Sequence, residues 1–186
     1  MKKILLFAVA MLFVTIGQAQ NKNKKEAVKV DFYGIDFSDV NVVGAAETED
    51  QFMTAFGGIN HLLVSEQDKF DIVKFLKLDV VSVDVEHATS RVSALEDVKF
   101  KDTKKIRVPL KEIIETYPTT EGTALLLVAK ELNKRTNMGT FTVVIFDGKS
   151  KEIISEKEFK GKAKGFGLRN FWAGALYDGL KSVKSK

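Results

Sequence analysis

The chain has 186 residues, 45% of them hydrophobic, with 29 Lys and Arg against 25 Asp and Glu, a formal charge of +4 and no cysteine. That length suits a single domain with a core of its own, and the missing cysteines remove disulfides, thiol catalysis and cysteine-held metal together. So small a cationic surplus is not the footprint of a nucleic-acid binder.

Met1-Lys2-Lys3 is a short cationic start, Ile4 to Ile16 is apolar except for Thr15, and Gly17-Gln18-Ala19 offers a small-x-small cleavage site before Gln20. This is the layout of a secretory signal peptide over residues 1–19, and the apolar run is too short to span a bilayer. Export to the periplasm or beyond is therefore expected, with no cysteine after the run for a lipid anchor and no integral membrane segment in the mature chain. Loss of Lys2 and Lys3 lowers the formal charge to about +2. Residues 20–26 are polar and lysine-rich and read as a flexible leader. Residues 27–186 read as one domain.

Val28, Val30 and Phe32 alternate with Lys29 and Asp31, which predicts a strand running on through Val40, with Gly34 as a bulge. Thr48 and Gln51 have capping-box spacing, with Glu47, Glu49 and Asp50 crowding the positive end of the coming helix. Phe52, Phe56, Ile59 and Leu63 follow at helical period, interrupted by Gly57-Gly58, where a close packing contact or a kink is expected. Ser65 with Asp68 reads as the cap of a second helix through Lys77. Period two returns from Leu78, with Val81, Val83 and Val85 facing one way and Asp84 and Glu86 sharing the other.

Lys99, Lys101, Lys105 and Arg107 continue the extended pattern beside Phe100, Ile106 and Val108. Pro109 at a first helical position introduces a short helix that ends before Pro118. Thr123 to Leu132 is apolar on both faces, the mark of a central strand in a covered sheet. Thr140 to Phe146 turns at Asp147-Gly148 and runs back to Phe159 as a hairpin. A last helix carries Trp172, Leu176, Leu180 and Val183 on one face. The order of elements predicts one α/β (α+β) domain, a mixed, largely antiparallel sheet packed by helices.

Chemistry is sparse. Lys160 to Leu180 holds five glycines and four cations, yet Gly165-Phe166-Gly167 lacks the third glycine and the Lys-Ser of a phosphate loop. The glycines read instead as a strand-to-helix turn, with Asn170 capping the helix and Phe171 and Trp172 on the sheet. Phe166 and Arg169 are left without a core role, and aromatics with arginine are the residues that anchor interfaces. Gly165, Phe166, Gly167, Arg169, Asn170 and Trp172 are thus the candidate partner-binding set.

His61 falls opposite its helix's apolar stripe and is expected in solvent. His87 continues the valine face, and neither histidine has a neighbour at metal-ligand spacing. Asp84, Glu86 and His87 are the residues of an alternative small hydrolase, and Ser82 or Ser90 could partner His87, although no nucleophile elbow is present. Asp31 and Asp36 are uncommitted. The basic row reads as a solvated strand face, open to an anionic envelope component but without the interleaved aromatics of a single-strand binder. No cofactor is expected. The leading expectation is a non-catalytic interaction module with an envelope protein or anionic envelope component as partner. A small hydrolase and a small-ligand carrier are the alternatives.

"GTALLLVAKELN", "GTFTVVIFDGKSKEII" and the closing helix resemble the envelope domains of the curli-pore and penicillin-binding-protein-activator lipoproteins, and the related amino-terminal domain of TolB. There a strand precedes a hairpin with an Asp-x-x-Ser/Thr turn, matched by Asp147 and Ser150 within Val144 to Ile153. The resemblance covers about Thr123 to Lys184 and the strand and helix from Val28 to Leu63. It implies a non-catalytic domain assisting assembly or regulation at the envelope, although the lipid-anchor cysteine of those lipoproteins is absent. The Gly-Phe-Gly-x-Arg-Asn-Phe-Trp stretch also resembles small secreted proteins of Gram-negative bacteria, which brings no activity with it.

Overall fold

A computed structural model describes residues 28–95, 99–100 and 109–184. The expected signal peptide and leader, and Lys101, Lys105 and Arg107 of the basic row, lie outside the described residues. Strands β1 (Lys29–Asp36), β2 (Asn41–Val43), β3 (Asp79–Val83), β4 (Lys99–Phe100), β5 (Thr123–Asn133), β6 (Met138–Asp147) and β7 (Ile153–Lys162) form one mixed sheet. Helices α1 (Glu49–Ser65), α2 (Ile72–Leu76), α3 (Glu86–Ser93), α4 (Leu110–Glu115) and α5 (Leu168–Lys184) pack against it. The two longest ladders, β5 with β6 and β6 with β7, are antiparallel, while β1 to β5 pair in parallel. The expected α+β class holds.

β5 is the central strand, as its doubly apolar sequence requires. One edge is paired along its length by β6; the other takes β1 at Thr123 to Val128 and β2 at Glu131 to Asn133. Alternate β5 residues therefore feed two cores. Leu125, Leu127 and Leu132 join Phe52, Phe56, Trp172 and Leu176 beneath α1 and α5. Leu126 and Val128 join Tyr33, Ile113 and Tyr117 on the face that carries α4.

The strand expected from Val28 to Val40 breaks after Asp36, and β2 resumes beyond a short turn. The bulge falls where glycine marked it, with the β1–β5 register skipping between Phe32 and Ile35. Asn60 of α1 replaces the lost pairing there, because its side chain accepts from Ile35 N at 2.8 Å and donates to Ile35 O at 2.9 Å. A buried amide is thereby satisfied and α1 is tied to the sheet.

The Thr48–Gln51 capping box forms as expected. Four expectations need correction. Ser65 does not cap a second helix: its hydroxyl donates back to His61 O, and Asp71 caps the shorter α2 through Lys74 N. β3 stops at Val83, and Asp84 turns the chain into α3 by accepting from Glu86 N at 2.9 Å. Val81 and Val83, expected as the apolar face of an alternating strand, are exposed on β3, which ends the strand order of the sheet. Pro109 precedes α4 instead of opening it.

α5 lies unusually close to β7. A Cβ at Gly161 would come within 1.9 Å of Ala175 O and 2.4 Å of Gly179 N, so only glycine lets this helix settle on the hairpin. Seated there, α5 presents its first turn beside the middle of α1.

Candidate contact face

The connection into α5 is shaped by backbone. Gly165 and Gly167 have φ of 129° and 76°, a region costly for other residues. A Cβ at Gly165 would also meet Asn170 O at 2.7 Å. Between them Phe166 is 95% exposed. Asn170 is not the cap, since the helix starts at Leu168 and Phe171 N donates to Gly167 O at 2.9 Å. Trp172 is 1% exposed in the core and so leaves the contact set; it supports the turn from beneath.

Two further contacts fix this corner. Lys134 Nζ sits 4.4 Å from the Phe171 ring centroid and 2.8 Å from Glu47 Oε1, linking the β5–β6 turn, α5 and the approach to α1. Its hydrogen bond holds the Glu47 carboxyl below the usual range against the opposing effect of burial. The Arg169 stem lies across Gly58, where a Cβ would come within 2.8 Å of Arg169 Cδ. Gly58 thus makes a close packing contact. The Arg169 Nε donates to Asn170 Oδ1 at 3.2 Å.

Between α1 and α5 runs a groove of about 600 Å³, with Asp50, Gln51, Thr54, Ala55 and Gly58 on one wall and Leu168 and Arg169 on the other. Sequence reasoning singled out Arg169 on the α5 wall of this groove as a candidate and no residue on the α1 wall. The one trace of the latter was the unexplained Gly57-Gly58 pair.

Asp84, Glu86 and His87 do not form one carboxylate face, because the strand expected to align them ends before Asp84. Asp84 is engaged at the start of α3 and Glu86 is exposed in its first turn. The His87 ring packs 4.6 Å from Tyr117, with Nε2 buried and unpartnered among the described residues. Neither serine addresses it: Ser82 donates to Asp31 and Ser90 to the His87 carbonyl. His61 is exposed, as its place opposite the stripe requires. The apolar recess among Phe32, Leu63, Phe70, Ile72, Val80 and Val83 measures about 170 Å³, below the few hundred Å³ of ordinary small-molecule sites. Among the described residues no group of acids and histidines is placed to hold a metal, and no helix is long and apolar enough to cross a membrane.

Asp36, left uncommitted by the sequence, is the centre of a buried polar cluster. Its carboxylate is 0% exposed, accepting from Arg91 Nε at 2.6 Å, Tyr117 Oη at 2.9 Å and Ser38 N at 2.8 Å, and also from the Ser38 hydroxyl. Arg91 donates in addition to Ser38 Oγ at 2.7 Å. Burial, then the Asp36 charge, pushes the Tyr117 hydroxyl far above its ordinary range. Asp36 thus gathers donors from Arg91, Tyr117 and Ser38 and ties separate parts of the chain together, which makes the cluster a fastening. No protein-family model matches this sequence, and no curated protein matches it.

Proposed function

We propose that this chain is an exported, non-catalytic contact module of the bacterial cell envelope, and that its recognition face is the α1/α5 groove with the Phe166 turn at its rim. The observation that carries the reading is Phe166, held 95% exposed by two glycines in conformations other residues avoid. An aromatic ring kept in water on a rigid turn gains nothing for the fold, whereas at an interface it is the most productive kind of anchor. Arg169, with its stem fixed on Gly58, is the second anchor. The resemblance of the C-terminal half to assembly-assisting envelope domains points the same way.

The test is capture from envelope extracts by immobilised protein. Phe166→Ala with Arg169→Ala is expected to abolish capture while changing stability by about 0.5 kcal/mol or less, as exposed substitutions do. Persistent capture removes this face from the proposal. Amino-terminal sequencing of the protein recovered from its own cells is expected to begin at Gln20, and a start at Met1 ends the claim of export.

A further inference from the structure

We propose that the occupant of the α1/α5 groove is a second copy of this chain, in a two-fold dimer that seats each Phe166 in the other copy's groove. The proposal rests on reading this face as a contact surface and adds the identity of what covers it.

The face carries both halves of a self-complementary joint. The ring that needs a socket stands two residues before Leu168, which walls a socket its own Phe166 does not fill, since that ring is 95% exposed. A two-fold interface uses one patch twice, so residue i meets j and j meets i. A knob beside a groove on one rigid corner satisfies that condition, and both apolar surfaces leave water together. The groove, at about 600 Å³, has room for a phenyl ring and part of its turn.

Charge makes the same case. The walls carry opposite signs: Asp50 on the α1 side and Arg169 on the α5 side. Neither has an ion-pair partner among the described residues. Glu47, the other acid at the rim, is already held by Lys134. Turned about a two-fold axis, Arg169 of each copy faces Asp50 of the other, giving two reciprocal pairs. A face with one sign of charge would repel its own copy; this one does not.

Sedimentation equilibrium with light scattering on the full chain, as its cell processes it, tests the proposal. A concentration-dependent monomer–dimer equilibrium is expected. Phe166→Ala weakens it about tenfold or more. Asp50→Lys and Arg169→Glu each weaken it about tenfold, and the two together restore it to within about threefold, because the reversed pair re-forms. All three positions of change are exposed, and unchanged circular dichroism melts exclude unfolding as the cause. A single-chain mass at every concentration from nanomolar to millimolar overturns the inference, as does a dimer indifferent to these substitutions. If the protein is monomeric yet Phe166→Ala abolishes capture from extracts, the contact face stands and its occupant is a different protein. If the dimer behaves as expected while capture ignores Phe166, the second copy stands and the envelope partner binds elsewhere.

Discussion

Two arginines in this molecule have opposite fates. Arg91 reaches from α3 to a carboxylate that is 0% exposed, and its Nη2 donates to Ser38 Oγ. Arg169 lies on a glycine of α1, and its Nε bonds only the neighbouring Asn170. At the Asp36 end, charge is spent internally, joining the β1–β2 break to α3 and to the residue pair that follows α4. At the α5 end, a cation and an aromatic ring are held in place and left facing outward. Both corners are built on close contacts; what differs is whether the fold consumes the polar groups it has ordered.

The largest effect should come from breaking the inward corner. Asp36→Ala leaves the Arg91 guanidinium and the Tyr117 hydroxyl facing an apolar gap, and removing one partner of a buried pair costs about 3–5 kcal/mol. Urea unfolding should show that loss as a shift of midpoint at constant slope. A loss of under about 1 kcal/mol would mean that water reaches the cluster and that Asp36 is not the fastening described.

Tyr117→Phe is next, expected at about 1.5–3 kcal/mol for one hydrogen bond to a charged acceptor. It carries a pH signature as well. The Tyr117 pKa is raised in the folded state by burial first and the Asp36 charge second, from an ordinary value of 10.0. With a raised folded pKa the native state holds the proton more tightly, so stability is complete below the unfolded value and falls as pH climbs above it. Alkaline unfolding of the parent should therefore steepen above pH 10.0. The Phe variant should lose much of that slope and retain the share owed to Tyr33, whose hydroxyl is also raised, mainly by burial. Parallel alkaline limbs for the two proteins would contradict this account.

Smaller still is Gly58→Ala. Helix propensity gains about 1 kcal/mol, offset by displacement of the Arg169 stem that a Cβ would touch at 2.8 Å. Stability should stay within about 1 kcal/mol of the parent, while the dimer weakens because Arg169 can no longer lie across α1. An unaltered dimer would show that the position of Arg169 is irrelevant to the contact.

Which parts of this were legible beforehand follows the range of the interactions. The capping box at Thr48, the central strand at β5, the Asp147 hairpin and the buried stripe of α5 are written within a few residues each, and they were readable. α3 was not, because Val81, Val83 and Val85 extend an alternating pattern past the point where Asp84 turns the chain. That aspartate two residues ahead of Glu86 N was the available signal. β2 spans three residues, too few for any pattern. The two corners are long-range: Asp36 meets Arg91 and Tyr117 across 55 and 81 positions, and the groove joins Asp50 to Arg169. An acid within the apolar "YGIDF" and a glycine pair within a helix announced that something met them, without naming what.

The smallest expected effect on stability is the most discriminating. Phe166→Ala should leave the urea midpoint where it was, to within about 0.5 kcal/mol, because a ring 95% exposed has almost no burial to lose. The substitution even removes apolar surface from water, so a slight gain in solubility is consistent with it. In the contact assay the same change should be the most damaging of the four, since among the described residues the ring is the most exposed large apolar side chain. Such dissociation of stability from association is what separates a displayed side chain from a structural one. If Phe166→Ala instead costs more than about 1 kcal/mol, the ring is buried in solution, and the contrast between the inward and outward corners collapses.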